Sequence, residues 1–219
     1  FGGQGSGSLA PDTVAVHHGA DDNASGTAGL LELAQYFSTS PVRPKRSLLF
    51  IAFSGEELGL FGSENYVKNP IFPLEKTITM VNMDMIGRLK DSVLVVEGVS
   101  SAAAWDSLLR KENSDSSFKL KLKPDGFGPS DHSPFYGKNI PVLFFFTNLH
   151  GDYHRPSDTW DKINYPGEQH VVQYVSRIVN AVANFGARPE FKKGQPMAMQ
   201  SGGDRQGVRV PQGLQVLPR

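Results

Sequence analysis

The stretch SLLFIAFSGEELGLFGS, residues 47–63, joins a continuously apolar run to two adjacent glutamates, Glu56 and Glu57. A run that is apolar throughout, rather than at every second position, is expected of a strand covered on both faces, as in parallel sheets flanked by helices. IPVLFFFT, residues 140–147, reads the same way. Residues 13–17 and 77–83 also read as strands, and SVLVVEG (92–98) and FKLKLKP (118–124) as edge strands. Helical patterns lie between them. Residues 26–37 place Leu30, Leu33, Ala34 and Phe37 on one face, and LGLFGSENYVK continues from the glutamates. In residues 166–185, Val171, Val175, Ile178, Val182 and Phe185 recur near the helical period, with Pro166 suited to the first turn and Gly186 to the stop. Strands alternating with helices predict a three-layer α/β/α sandwich around a mostly parallel mixed sheet.

A chain of 219 residues is long enough to bury one sizeable core without crosslinks. Lys+Arg and Asp+Glu both number 22, so no net field recommends a nucleic acid or an anionic membrane as partner. The absence of cysteine excludes a thiolate metal site, a cysteine nucleophile and a disulfide framework. No apolar run reaches the roughly 20 residues of a membrane span, and no signal peptide is evident. The opening FGGQGSGSLAPD reads as loop, which suggests a chain that starts inside a larger protein. After a domain spanning 1–186, residues 187–219 lose hydrophobic period and become rich in Gly, Pro, Gln and basic residues, as expected of a linker or the start of a following domain.

Why should two carboxylates stand at the end of a buried strand? Adjacent like charges in a low-dielectric place cost several kcal/mol unless a cation neutralises them. The other strand ends repeat the pattern. Residues 13–17 run out into Asp21 and Asp22, residues 77–83 into Asp84, and residues 140–147 into a loop holding His150 and His154. Sites in open α/β sheets form at the carboxyl ends of strands. Four such ends bearing carboxylate or imidazole supply the ligand types that zinc takes about four at a time. Of the paired glutamates, one is then free to bind metal while the other handles the proton of an activated water.

The motifs GADDNASG, FSGEELGLFGS, NMDMIG, SDHSPF and YHRPSDT, in this order, resemble the M28 family of zinc aminopeptidases from about residue 18 to residue 185. The resemblance implies zinc-dependent removal of N-terminal amino acids from peptides, with the substrate peptide as partner. It implies Asp21 as the carboxylate bridging two zinc ions, Glu57 and His154 as further ligands of the first, Asp84 as a ligand of the second, and Glu56 as general base and acid. It also implies a cis peptide between Asp21 and Asp22, and secretion or a periplasmic location. Asp22, Phe127, Asp131, His132, Tyr153 and Asp158 are further candidates for substrate contact or for support of the ligands, Asp158 by orienting the His154 imidazole.

Two departures from the family pattern bear on activity. The histidine of an H-x-D motif, which completes the second zinc, would precede Phe1, and neither His17 nor His18 matches it. About one zinc is therefore expected in this chain and two in a complete enzyme. Before SDH, where some members carry a tyrosine that supports the oxyanion, this chain has Phe127, and Tyr153 is the nearest replacement. Two rivals stand beside the peptidase: a glutaminyl-cyclase-like enzyme working with one zinc, and a non-catalytic, receptor-like or scaffold member of the same fold. A serine hydrolase is disfavoured because no G-x-S-x-G elbow is present.

Overall fold

The computed structural model describes residues 7–194, so most of the expected linker, from residue 195 onward, lies outside the described residues. Within 187–194, Phe191 bridges to Ala102, and the Gly194 amide donates to the Tyr136 hydroxyl at 2.8 Å.

Four strands make one sheet, β1 (Met80–Met83), β2 (Val93–Glu97), β3 (Lys119–Leu122) and β4 (Val142–Phe146), in the order β1-β4-β2-β3. β1 runs parallel to β4 and β2 parallel to β3, whereas β2 and β4 are antiparallel, so the sheet is mixed. β4 is paired on both sides and buried from Val142 to Phe145. Its alternate residues face two cores, as the two-residue period of a strand requires. Leu143 and Phe145 pack with α1 (Gly26–Thr39), α3 (Trp105–Glu112) and α5 (Tyr165–Ala183), while Val142 packs with α2 (Phe61–Lys68) and α4 (His132–Gly137). This is the expected α/β/α arrangement.

α5 follows its sequence pattern: Val171, Val175 and Ile178 are fully buried, and the Asn164 side chain caps the helix by accepting from the Gly167 amide at 3.0 Å. SVLVVEG differs from expectation. It pairs on both sides as β2 and is not an edge, while β3 is one. α3 and α4, of eight and six residues, are too short for a periodic signal to stand out.

The larger differences concern two expected strands. Residues 13–17 form no strand beyond a single bridge residue at Val16, and residues 47–53 enter no ladder among the described residues. Apolar character brings the second run to the domain without fixing its backbone. Leu48 and Phe50 reach the main core, Ile51 and Phe53 the smaller one, and Leu49 is 48% exposed. A cleft of about 770 Å³ separates this run from residues 77–83, whose final four residues are β1.

Candidate metal centre and active site

Four segments carry the expected side chains to one rim: the turn 20–25, the turn that follows residues 47–53, the residues after β1, and the loop after β4. Each is shaped by local chemistry. Gly55, at φ 70°, adopts the left-handed conformation that reverses the chain, and its carbonyl accepts from the Leu58 and Phe61 amides, which leaves Glu56 and Glu57 at the tip. Gly26 lets the start of α1 come so close to β1 that a Cβ there would strike the Met83 carbonyl and the Asn23 side chain. Asn23 fastens this approach: its Oδ1 accepts from the amides of Gly26 at 3.0 Å and Met85 at 3.2 Å. Beyond β4, His154 itself takes a positive φ of 53°, an uncommon state for a residue with a Cβ.

The segments enclose a pocket of about 240 Å³ whose lining includes Asp22, Glu56, Glu57, Asp84, Asp131 and His154. Within it, ligand atoms of Asp22, Glu57 and His154 all lie within 4.8 Å of one another. His154 Nε2 stands 3.2 Å from Asp22 Oδ2 and 3.3 Å from Glu57 Oε1. On the other side of the ring, Nδ1 lies 2.9 Å from the Gly7 carbonyl, which can only accept. Nδ1 therefore carries a proton. Burial holds the imidazole below its ordinary pKa, so the neutral ring turns the lone pair of Nε2 toward two carboxylate oxygens. Three acceptors converging in this way need a proton or a cation between them. Atoms about 2.0–2.2 Å from a tetrahedral zinc would stand roughly 3.3–3.6 Å apart, close to the spacings of Nε2 from its two neighbours. The donor set fits the metal.

The surrounding acids strengthen that fit. Burial, followed by the charges of Asp84, Asp131 and Asp22, pushes the Glu56 carboxyl up to about 8. Burial and then Asp22 and Glu56 push Glu57 up to about 8. Asp84 rises to about 7, mainly by burial, against a hydrogen bond from Ser130 that favours its charged form. Carboxyls raised together oppose one another's ionisation, and a dication among them would reverse this. Ser130 Oγ donates to Asp84 Oδ2 at 2.7 Å and is itself held by Asn82 Nδ2 at 2.7 Å. Asp84 Oδ1 is buried with no hydrogen-bond partner among the described residues.

Asp21 and Asp22 exchange the places that the sequence suggested. Asp21 is wholly buried and turned away: its Oδ1 accepts from the Gly87 amide at 2.7 Å and Ser25 Oγ at 2.9 Å, and its Oδ2 stands 3.1 Å from His150 Nε2. Asp22 is the one that meets Glu57 and His154. The cis peptide likewise falls one residue later, between Asp22 and Asn23. Successive side chains in a turn point to different sides, and spacing alone cannot say which aspartate faces the pocket. Asp158 acts on the aspartate turn rather than on the imidazole, its oxygens being taken by the Asp21 and Asp22 amides and by Arg88.

The other candidates divide. Asp131 lines the pocket and accepts from Ser63 Oγ. Tyr153 stacks on His154 with ring centroids 3.7 Å apart, and burial raises its hydroxyl pKa above the usual tyrosine value. His132 is fully buried on Phe144, and burial depresses it to about 3. Phe127 is 52% exposed and stands edge-on to Tyr136. His17 is buried beside Ser8 Oγ at 2.8 Å, whereas His18 is exposed. The sequence reading passed over Arg88, Asn82 and the tie between His150 and Asp21, which are ordinary residues whose partners lie far along the chain.

Comparison with known proteins identifies the family and the fold. The model of peptidase family M28 matches residues 11–179. Aminopeptidase YwaD of Bacillus subtilis is 30% identical over 204 residues, which cover 87% of this chain and 43% of that protein. The crystal structure of a zinc aminopeptidase from Bacillus subtilis superposes with a TM-score of 0.67 at 29% identity, over 82% of this chain and 46% of that one. An aminopeptidase from Aneurinibacillus sp. strain AM-1 gives a TM-score of 0.66 at 31% identity, over 83% and 43%. The chain thus spans less than half the length of these relatives.

Proposed function

This chain belongs to peptidase family M28, and on that premise we propose that it is the catalytic part of a zinc-dependent aminopeptidase. The observation that carries the reading is the convergence of Asp22, Glu57 and His154, whose spacing and chemistry suit one zinc ion. Asp22 takes the role first expected of Asp21. Asp84 offers a buried oxygen toward a second ion, but among the described residues only Asp22, Glu57 and His154 group their ligand atoms around one point, so one tightly held zinc is proposed for this chain. When bound, zinc supplies Lewis acidity, lowering the pKa of a water and polarising a carbonyl.

The residues do the rest. Glu56, on the same turn as Glu57 and within the pocket, takes the proton from the attacking water and returns it to the departing amine. Its raised pKa suits a group that must both accept and release a proton near neutrality, and a neighbouring cation would draw it down into the working range. The acidic rim, with Asp131 beside Glu56, would favour the protonated amino terminus of a peptide. Export of the protein, and a catalytic domain of residues 1–186 followed at 187–219 by a linker or the start of a further domain, belong to the same proposal. Cell fractionation and limited proteolysis test them.

Glu56→Gln is expected to lower aminopeptidase turnover by about 10²–10⁴-fold while leaving zinc content unchanged, whereas Glu57→Gln and Asp22→Asn lower both. Asp21→Asn should keep its zinc. Full turnover in zinc-loaded Glu56→Gln protein would refute the assignment of the base. Ammonia released from an N-terminal glutaminyl peptide, without free amino acid, would replace the peptidase by a cyclase.

A further inference from the structure

The loop after β4 brings more to the site than His154. Asp152, near its middle, and Asp158, near its end, stand outside the lone-pair cluster, and both hold one arginine. Arg88 Nη2 reaches Asp158 Oδ1 at 3.1 Å and Asp152 Oδ2 at 3.2 Å. Asp158 is 2% exposed. Its second oxygen, Oδ2, accepts from the Asp21 amide at 2.9 Å and the Asp22 amide at 3.0 Å, and its own carbonyl accepts from the Ala20 amide at 3.2 Å. Three consecutive amides of the turn that presents Asp22 are thus hung on one residue of the loop that presents His154. Lys162 Nζ, 2.6 Å from Asp152 Oδ1, closes the far end.

Such an arrangement is a poor device for stability alone. A buried carboxylate and a largely buried guanidinium lose hydration that their attraction only partly restores, and apolar residues of similar volume often serve a fold as well. What the charges add is direction. An ionised acceptor fixes amides more firmly than a neutral one, and Arg88, issuing from the residues just after β1, gives the loop and the turn a common anchor on the sheet. Asp22 Oδ2 and His154 Nε2 stand 3.2 Å apart, and a second contact between the same two segments sets His150 Nε2 3.1 Å from Asp21 Oδ2.

We propose that Asp158 and Arg88 form a charged clamp that presets the separation of Asp22 and His154 for a metal ion, acting as positioning residues without touching it. The proposal rests on the zinc-site reading above. The full 219-residue chain is compared with Asp158→Asn, Arg88→Met and Arg88→Lys by zinc affinity in chelator competition, by the visible spectrum of the cobalt-substituted protein, and by thermal unfolding in EDTA and in zinc. Asp158→Asn and Arg88→Met should weaken zinc binding by about 10–100-fold and alter the cobalt spectrum, with Arg88→Lys recovering part of the affinity. The melting temperature should fall further in zinc than in EDTA. A merely structural contact would lower both melting temperatures alike and leave affinity unmoved. Asp106→Asn, which removes an exposed pair with Arg110 on α3, is the control expected to bind as wild type. Wild-type affinity, within about threefold, in folded Asp158→Asn would overturn the clamp while sparing the zinc site. If that variant fails to fold, Arg88→Met carries the test, and wild-type affinity in it overturns the clamp equally. A wild-type chain that binds no zinc overturns the site and the clamp together.

Discussion

Residues 48–53 and strand β4 are nearly interchangeable as sequence: LLFIAF and VLFFF are both unbroken apolar runs followed by polar site residues. In the fold they differ sharply. β4 lies between β1 and β2 with its backbone paired on both sides, whereas 48–53 is half-buried and in no ladder among the described residues. The hydrophobic effect is non-directional and brings both runs inward, but strand structure also needs a neighbour's amides and carbonyls at about 4.8 Å. Apolar sequence therefore predicts burial more reliably than it predicts pairing. Both runs still deliver their carboxyl ends to the same pocket, one through Glu56 and Glu57 and the other through His154.

Hydrogen exchange provides the widest test of that contrast. Amides of β4 should exchange only on global opening, on the order of 10³-fold or more slower than those of 48–53, which open locally. Equal protection would show that 48–53 pairs in solution. A core substitution is the next largest lever. Phe145, fully buried, should cost about 3–5 kcal/mol as Phe145→Ala in chemical denaturation, and Ile178→Ala on α5 about 2–5 kcal/mol. Phe50→Ala, on the half-buried run, should cost less than about half of the Phe145 value. Comparable losses would mean that the two runs are equally integrated.

Zinc should narrow the difference, because it would join a residue following one run to a residue following the other. At about 100-fold excess over its dissociation constant it should add roughly 2.7 kcal/mol of stability. Exchange should slow more in 48–53 than in β4.

The acids that line the pocket also give the metal-free chain a pH dependence. Glu56 and Glu57 are raised from 4.5 to about 8 and Asp84 from 3.8 to about 7, so between these limits the folded chain holds protons that the unfolded chain has released. Stability should accordingly be higher near pH 4.5 and fall as pH rises toward 8. A stability that rises over that window in EDTA would contradict the crowding of these acids. Zinc should flatten the decline and release protons as it binds.

Much of this protein was legible before any fold was known. The three layers, α5 and its buried valines, and the gathering of Asp84, Glu56, Glu57 and His154 on one rim follow from apolar period and from polar residues set at the carboxyl ends of apolar runs, both of which are local properties of the chain. What only the tertiary structure decided is relational. Whether Asp21 or Asp22 faces the pocket depends on how a turn is hung from Asp158, 136 residues away. Whether SVLVVEG is an edge depends on β4 and β3 arriving on either side of it. Whether 48–53 is a strand depends on a neighbour's backbone. Side-chain chemistry is written residue by residue, but pairing, orientation and ligand spacing arise between segments distant in sequence, where no local pattern records them.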